Sequence, residues 1–178
     1  EHGCIYYLDM MKTFFNPRMS GERIRVASQV KPGEYVVDMF AGVGPFAVLI
    51  ARRQPSARVL AVEINPDAYR FLVRNIQENG VSGRVEAMEG DVRQVLRDVE
   101  DRFDRAIMDL PFSAINYLDL ALKATKERAM IHLYHVEEGE DASEKAVEKA
   151  IRESERHGFK VEVKAVREVM EIAPKRFI

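Results

Sequence analysis

"VVDMFAGVGPFAVLIA", residues 36–51, decides the fold. Two valines lead to an acid, Asp38; a glycine turn, Gly42-Val43-Gly44, follows, and Pro45 opens a second apolar run. A valine-rich run entering a glycine turn and leaving as a helix is a βα turn. Glycine admits backbone angles closed to other residues, and proline suits the first helical position. The alternation continues along the chain. Strands are predicted at 35–39, 58–62, 84–89, 103–109, 129–134 and 160–168, with helices at 45–53, 66–79, 92–99, 114–124 and 142–157. Strands alternating with helical patterns build βαβ units and a mostly parallel sheet with helices on both faces.

The punctuation agrees with these elements. Asn65 is expected to cap the second helix, with Pro66 at its first position and Gly80 past its end. Asp141 with Glu144 has the spacing of a capping box, and Gly158 closes the last long helix. Between residues 5 and 29 an amphipathic strand and a short helix are expected before the first core strand. Ala173-Pro174 reads as a turn into a further strand of which only the first residues remain. The opening "EHGCIYYLDM" lacks an initiator Met and reads like the interior of a longer protein.

Bulk properties narrow the class. At 178 residues, 47% hydrophobic and 31% charged, the chain has the size and composition of one globular domain. A formal net charge of -2 does not announce a nucleic-acid binder. Cys4 is the single cysteine, which excludes an internal disulfide and a cysteine-based zinc site and suits a reducing cytoplasm. No apolar run reaches the roughly 20 residues of a membrane span. A cytoplasmic monomer without a membrane or metal partner is the expectation.

The glycine turn fits two ligand classes. Residues 42–47 satisfy G-x-G-x-x-[GA], and Glu63 follows at the distance a dinucleotide fingerprint requires. Asp38 discriminates. A carboxylate there repels a pyrophosphate but attracts S-adenosylmethionine (SAM), whose sulfonium and ammonium are cationic. Glu63 then suits the two ribose hydroxyls as a bidentate acceptor. Asp91, in "GDVRQ", has two readings, an acceptor for the adenine amino group and an N-cap for the next helix. Three acids at the carboxyl ends of three strands define one crevice. Phe40, Ala41, Gly42, Gly44, Ile64, Val92 and Asp109 complete the expected SAM-binding set.

After the fourth strand, "MDLPF" (108–112) is similar to the [DN]-P-P-[FY] motif of enzymes that methylate amino groups of flat nitrogenous substrates. Asp109 and the rigid backbone before Pro111 can hold a planar N–H group, and Phe112 offers a stacking face. A plain proline turn is the alternative.

With "FFNPRMSGER" (14–23), "VVDMFAGVGPFA", "EINPDAY" (63–69), "DLP" and "IHLYH" (131–135), the chain resembles the archaeal and eukaryotic tRNA (guanine-N1)-methyltransferases acting at position 37, with their wybutosine-pathway relatives. The resemblance covers nearly the whole chain. It implies a class I SAM-dependent methyltransferase, a Rossmann-like α/β domain over residues 31–178 with its last strand largely missing. Residues 1–30 would form a substrate-side extension. It also implies tRNA, at its anticodon region, as substrate, Glu22 as general base and Arg18 as the substrate-side arginine, with Asp109 and Pro111 beside them. The family more often has Asn at the position of Asp109, and it usually carries a separate N-terminal domain. Alternatives are aminocarboxypropyl transfer or methylation of a tricyclic guanosine derivative in the wybutosine pathway, amino-methylation of another flat target, and a SAM-binding domain without activity. "DLP" favours methyl transfer over aminocarboxypropyl transfer.

His132 and His135, three apart along a strand, point to opposite faces and are expected to pack rather than bind metal. Arg52, Arg53, Arg102 and Arg105 are expected at the solvated surface. Lys12, Arg18, Arg23 and Arg25 surround the substrate-side loop, either as phosphate contacts or as ordinary surface.

Overall fold

The structure, a computed structural model, describes residues 1–173 and 176–177. Its centre is a five-stranded parallel sheet of β1 (Tyr35–Asp38), β2 (Arg58–Glu63), β3 (Val85–Glu89), β4 (Phe103–Met108) and β5 (Thr125–Leu133), in the order β3-β2-β1-β4-β5. The chain steps outward from β1 to β3, then returns to β4 on the other side. The reversal between β1 and β4 opens a crevice at their carboxyl ends.

Both faces of the sheet are covered, which explains why its inner strands read as unbroken apolar runs. Val36, Val59, Ala61 and Ile107 point to one face, against α1 (Ser20–Gln29), α2 (Pro45–Arg53) and α3 (Pro66–Glu78). Their strand neighbours Val37, Leu60, Val62, Ala106 and Met108 point to the other, against α4 (Val92–Val95) and α5 (Leu118–Ala124). Asn65 caps α3 through the Asp67 amide.

Several expectations are corrected. The N-terminal segment is extended but forms no strand. Asn79 exchanges two hydrogen bonds with the backbone of Ile5 (2.9 and 2.7 Å), and Asn75 does the same with Tyr7 (2.7 and 3.0 Å). Two side-chain amides one helical turn apart thus act as its neighbouring strand. Residues 160–168 form no strand either. Val161, Val163 and Val166 are 36%, 41% and 46% exposed, so their alternation meets no face to cover. Instead, short strands β6 (Glu137–Glu138), β7 (Glu171–Ala173) and β8 (Arg176–Phe177) make a small antiparallel sheet in the order β6-β8-β7. The expected turn at Ala173-Pro174 involves Pro174, which lies outside the described residues.

Other elements shift at their ends. β5 begins at Thr125 because a bulge, with Arg128 at φ 64°, carries the charged "TKER" stretch into the sheet. The segment 114–124 divides into a 3-10 turn (Ala114–Tyr117) and α5, and α4 stops at Val95. The capping box at α6 (Ala142–Arg156) is not made, since Asp141 pairs with Lys145 at 2.7 Å.

Candidate active site

The crevice is built around the glycine turn. Gly42 and Gly44 both sit in left-handed conformations, φ 55° and 86°. A side-chain carbon at Gly44 would fall 2.5 Å from Leu72 Cδ1, so α3 packs where only glycine fits. Ala41 N–H donates to Val62 O at 2.8 Å, and Asn75 Nδ2 donates to Val43 O at 2.8 Å, fixing the turn from two sides. Asn75 therefore links the turn to the N-terminal segment, a role with no signature in sequence spacing.

Glu63, at the end of β2, accepts Gly42 N–H at 2.6 Å on one oxygen and Asn65 N–H at 2.7 Å on the other. Its carboxylate is thereby oriented, and each oxygen keeps a second lone pair for a hydroxyl. Ile64 beside it is 67% exposed, Val92 is buried, and half-buried Phe40 meets Tyr117 edge-on at 5.1 Å. Asp91 caps α4 by accepting Arg93 N–H at 2.8 Å. The N-cap reading is realised, and one carboxylate oxygen is left over from that bond.

Asp38 is the outlier. It is 1% exposed, and neither carboxylate oxygen has a hydrogen-bond partner. Burial, reinforced by the nearby charges of Asp109 and Glu63, pushes its carboxyl up to about 8; the backbone amides of Phe40 and Ala47 oppose this in part without reaching bonding geometry. An unpaired acid in an apolar strand end costs stability unless a cation joins it. These acceptors thus fit a cationic ligand with vicinal hydroxyls and not a pyrophosphate.

Asp109, just past β4, is pushed up to about 6 by burial, with Arg23 opposing and Glu22 adding to the rise. Pro111 O accepts Val136 N–H at 2.9 Å, which ties the turn to the chain after β5, and Phe112 projects 72% exposed. Glu22, in the first turn of α1, lies on the same wall. It accepts two hydrogen bonds from Arg25 (Nε at 2.8 Å, a terminal nitrogen at 2.5 Å) and one from Tyr134 Oη at 2.9 Å. Burial alone would raise its carboxyl, but the bonds from Arg25 and Tyr134 together hold it below the usual range.

The basic residues divide. Arg23 is buried, pairs with Glu1 at 2.9 Å and stacks on Phe15; Arg25 is taken by Glu22. Lys12 sits 3.7 Å from Asp67, and Arg18 is exposed, its guanidinium without a hydrogen bond or ion pair among the described residues. Arg52, Arg53 and Arg102 are exposed as expected. Arg105 is not. It is 4% exposed and binds Glu34 (2.8 Å), Gln29 O (3.0 Å) and His132 (2.7 Å). A guanidinium with that many acceptors can be buried without leaving donors unpaired. His132, pushed down to about 3 by burial and by Arg105, is a neutral packing residue. Tyr134 is the residue of the candidate site that sequence reasoning passed over, although "IHLYH" contains it. Arg25, expected as a phosphate contact or surface residue, is instead the partner of Glu22.

A parallel sheet with this strand order, a glycine turn after β1 and acids along its carboxyl edge defines a class I methyltransferase domain. The chain belongs to the TRM5/TYW2 methyltransferase domain family, whose profile matches residues 1–164. It is 36% identical over 177 residues to the tRNA (guanine(37)-N(1))-methyltransferase Trm5b of Pyrococcus abyssi, covering 99% of this chain and 52% of that one. It superposes on the crystal structure of Methanocaldococcus jannaschii TYW2 in complex with AdoMet with a TM-score of 0.89 at 31% identity, covering 99% of this chain and 80% of that one. The aTrm5–tRNALeu complex matches with a TM-score of 0.83 at 33% identity, over 99% and 49%. The chain spans about half the length of the Trm5b relatives it matches, 52% and 42%.

Proposed function

We propose that this domain transfers the methyl group of SAM to N1 of guanosine at position 37 of tRNA, with Glu22 as general base. The observation that carries the reading is the continuity of the crevice. Asp38, a buried acid without a partner, shares its electrostatic surroundings with Asp109, and Asp109 shares its own with Glu22. A site for a cation is thus joined to a carboxylate that stays ionised at neutral pH, as a proton acceptor must. Relatives solved with AdoMet and with tRNALeu support a SAM-binding domain that acts on tRNA.

Asp38 and the backbone of residues 40–44 would hold the methionine end of SAM, Glu63 its ribose, and Ile64, Asp91 and Val92 its adenine side. SAM, when bound, supplies a methyl on a sulfonium that departs as a neutral thioether, so the protein needs no acid for the leaving group. The demand falls on the acceptor. Guanine N1 carries a proton and cannot attack until that proton leaves. Glu22 takes it, and the free guanidinium of Arg18 neutralises the charge that builds on the adjacent carbonyl oxygen. Asp109 and the rigid turn before Pro111 orient the base, with exposed Phe112 as a stacking face. The "DLP" sequence favours methyl over aminocarboxypropyl transfer.

Glu22→Gln removes the proton acceptor and keeps the shape. Single-turnover methylation should fall by at least about a hundredfold with SAM and tRNA affinities unchanged. A near wild-type rate across pH would exclude Glu22 as base and make Asp109 the next candidate.

A further inference from the structure

Tyr134 is buried, at 4% exposure, and lies just past the end of β5, opposite α1. Its ring packs against Phe46 with centroids 5.8 Å apart, and its hydroxyl meets Glu22 at 2.9 Å. Tyr134 is the donor in this bond, because burial and the neighbouring Glu22 charge push its phenol far above the ordinary range and keep it protonated. The bonds on Glu22 are unevenly shared. Oε1 accepts from both Tyr134 Oη and an Arg25 terminal nitrogen, whereas Oε2 accepts from Arg25 Nε alone. An oxygen with two donors has no lone pair left, and one with a single donor has one.

The geometry points to Tyr134 as the positioning residue of the base: by saturating Oε1 it fixes Glu22 against Arg25 and leaves Oε2 as the oxygen that receives the substrate proton. This rests on the reading of Glu22 as base. In that step the N1–H bond breaks and an Oε2–H bond forms. The electron pair left on N1 would bond the methyl carbon as that carbon's bond to the SAM sulfur breaks, the sulfur leaving with the pair as a neutral thioether. The Tyr134 hydroxyl is spent on Glu22, so in this role it acts through Glu22. The groups around Glu22 are Arg25 on its own helix, Tyr134 and neutral His132 from β5 and its end, and Asp109 from beyond β4. Of these, Tyr134 can lose its donor without a change of charge or ring volume, as phenylalanine.

The test reads Glu22 directly. Carbon-13 NMR of the side-chain carboxyl gives its titration midpoint in the wild-type chain and in Tyr134→Phe, with Glu22→Gln identifying the resonance. Loss of one charge-assisted donor should raise the midpoint by about one pH unit. The acid limb of the single-turnover rate profile should move up by the same amount, and Tyr134→Phe in a Glu22→Gln background should change the rate less than about twofold. An unmoved midpoint overturns the positioning role and leaves Glu22 as base untouched. A midpoint that moves while the rate limb stays, with Glu22→Gln near wild-type rate, overturns the base reading itself. Retention of the Phe46 packing by the phenylalanine keeps misfolding from imitating either result; the amide spectrum checks it.

Discussion

Replacing Asp38 with asparagine should stabilise the ligand-free domain and cripple SAM binding. The acid is fully buried and its carboxyl is pushed up to about 8. An ordinary aspartate titrates near 3.9 in the unfolded chain, so between those values the folded state holds a proton the unfolded state releases. The contribution of Asp38 to stability is therefore fully present below about pH 4 and is lost as pH rises towards 8; at pH 7 the accumulated loss from this residue is about 4 kcal/mol. Asparagine abolishes this linkage but leaves a buried amide without partners, which costs about 1–3 kcal/mol. The net gain at pH 7.5 is then roughly 1–3 kcal/mol, shrinking towards zero or reversing by pH 5. Urea denaturation at the two pH values measures it. Binding supplies the second readout. A cation requires ionised Asp38, so SAM binding to the wild-type domain at pH 7 should release close to one proton from this residue. Calorimetry in buffers of different ionisation enthalpy counts that proton. Equal stability of wild type and Asp38→Asn at both pH values, or no difference in proton release between them, would refute the placement of an unpaired buried acid beneath the cation.

Gly44→Ala should destabilise the domain by roughly 2–4 kcal/mol in thermal or urea unfolding, from its left-handed backbone and its contact with buried Leu72. Glu63→Ala should weaken SAM binding by roughly 1.5–3 kcal/mol in calorimetry, and it should also lower stability, because the Gly42 and Asn65 amides lose their acceptor. Binding of tRNA to this chain should be weak, with a plot of log affinity against log salt of slope about -2, because Lys12 and Arg18 are the exposed cations of the substrate-side segment 12–25 among the described residues. A slope steeper than about -5 would place the phosphate contacts elsewhere.

Local chemistry explains what was legible in the sequence. The Asn65-Pro66 start of α3, the glycine turn and the acids ending β1 and β2 are each dictated by neighbours within a few residues. The misread parts depend on distant partners. Residues 160–168 carry the alternation of a strand, yet a strand needs an edge to pair with. Residues 5–7 are extended against Asn75 and Asn79, some seventy positions away, and nothing in their own composition marks the partner as a pair of side chains. Arg105 reads as surface by residue type, but Glu34, Gln29 and His132 make a buried place for it. In the candidate site, Asp38 and Glu63 are legible because strand-end acids beside glycines have few other uses. Tyr134 was hidden because its hydroxyl meets Glu22 across 112 positions of chain.

The proposed reaction is methyl transfer to N1 of guanosine 37. Unmodified tRNA bearing guanosine at that position, incubated with this chain and methyl-labelled SAM, digested to nucleosides and weighed by mass spectrometry, tests it most directly. The prediction is labelled 1-methylguanosine, lost when position 37 is changed to adenosine. A nucleoside heavier by an aminocarboxypropyl group, or label in any other base, would contradict it.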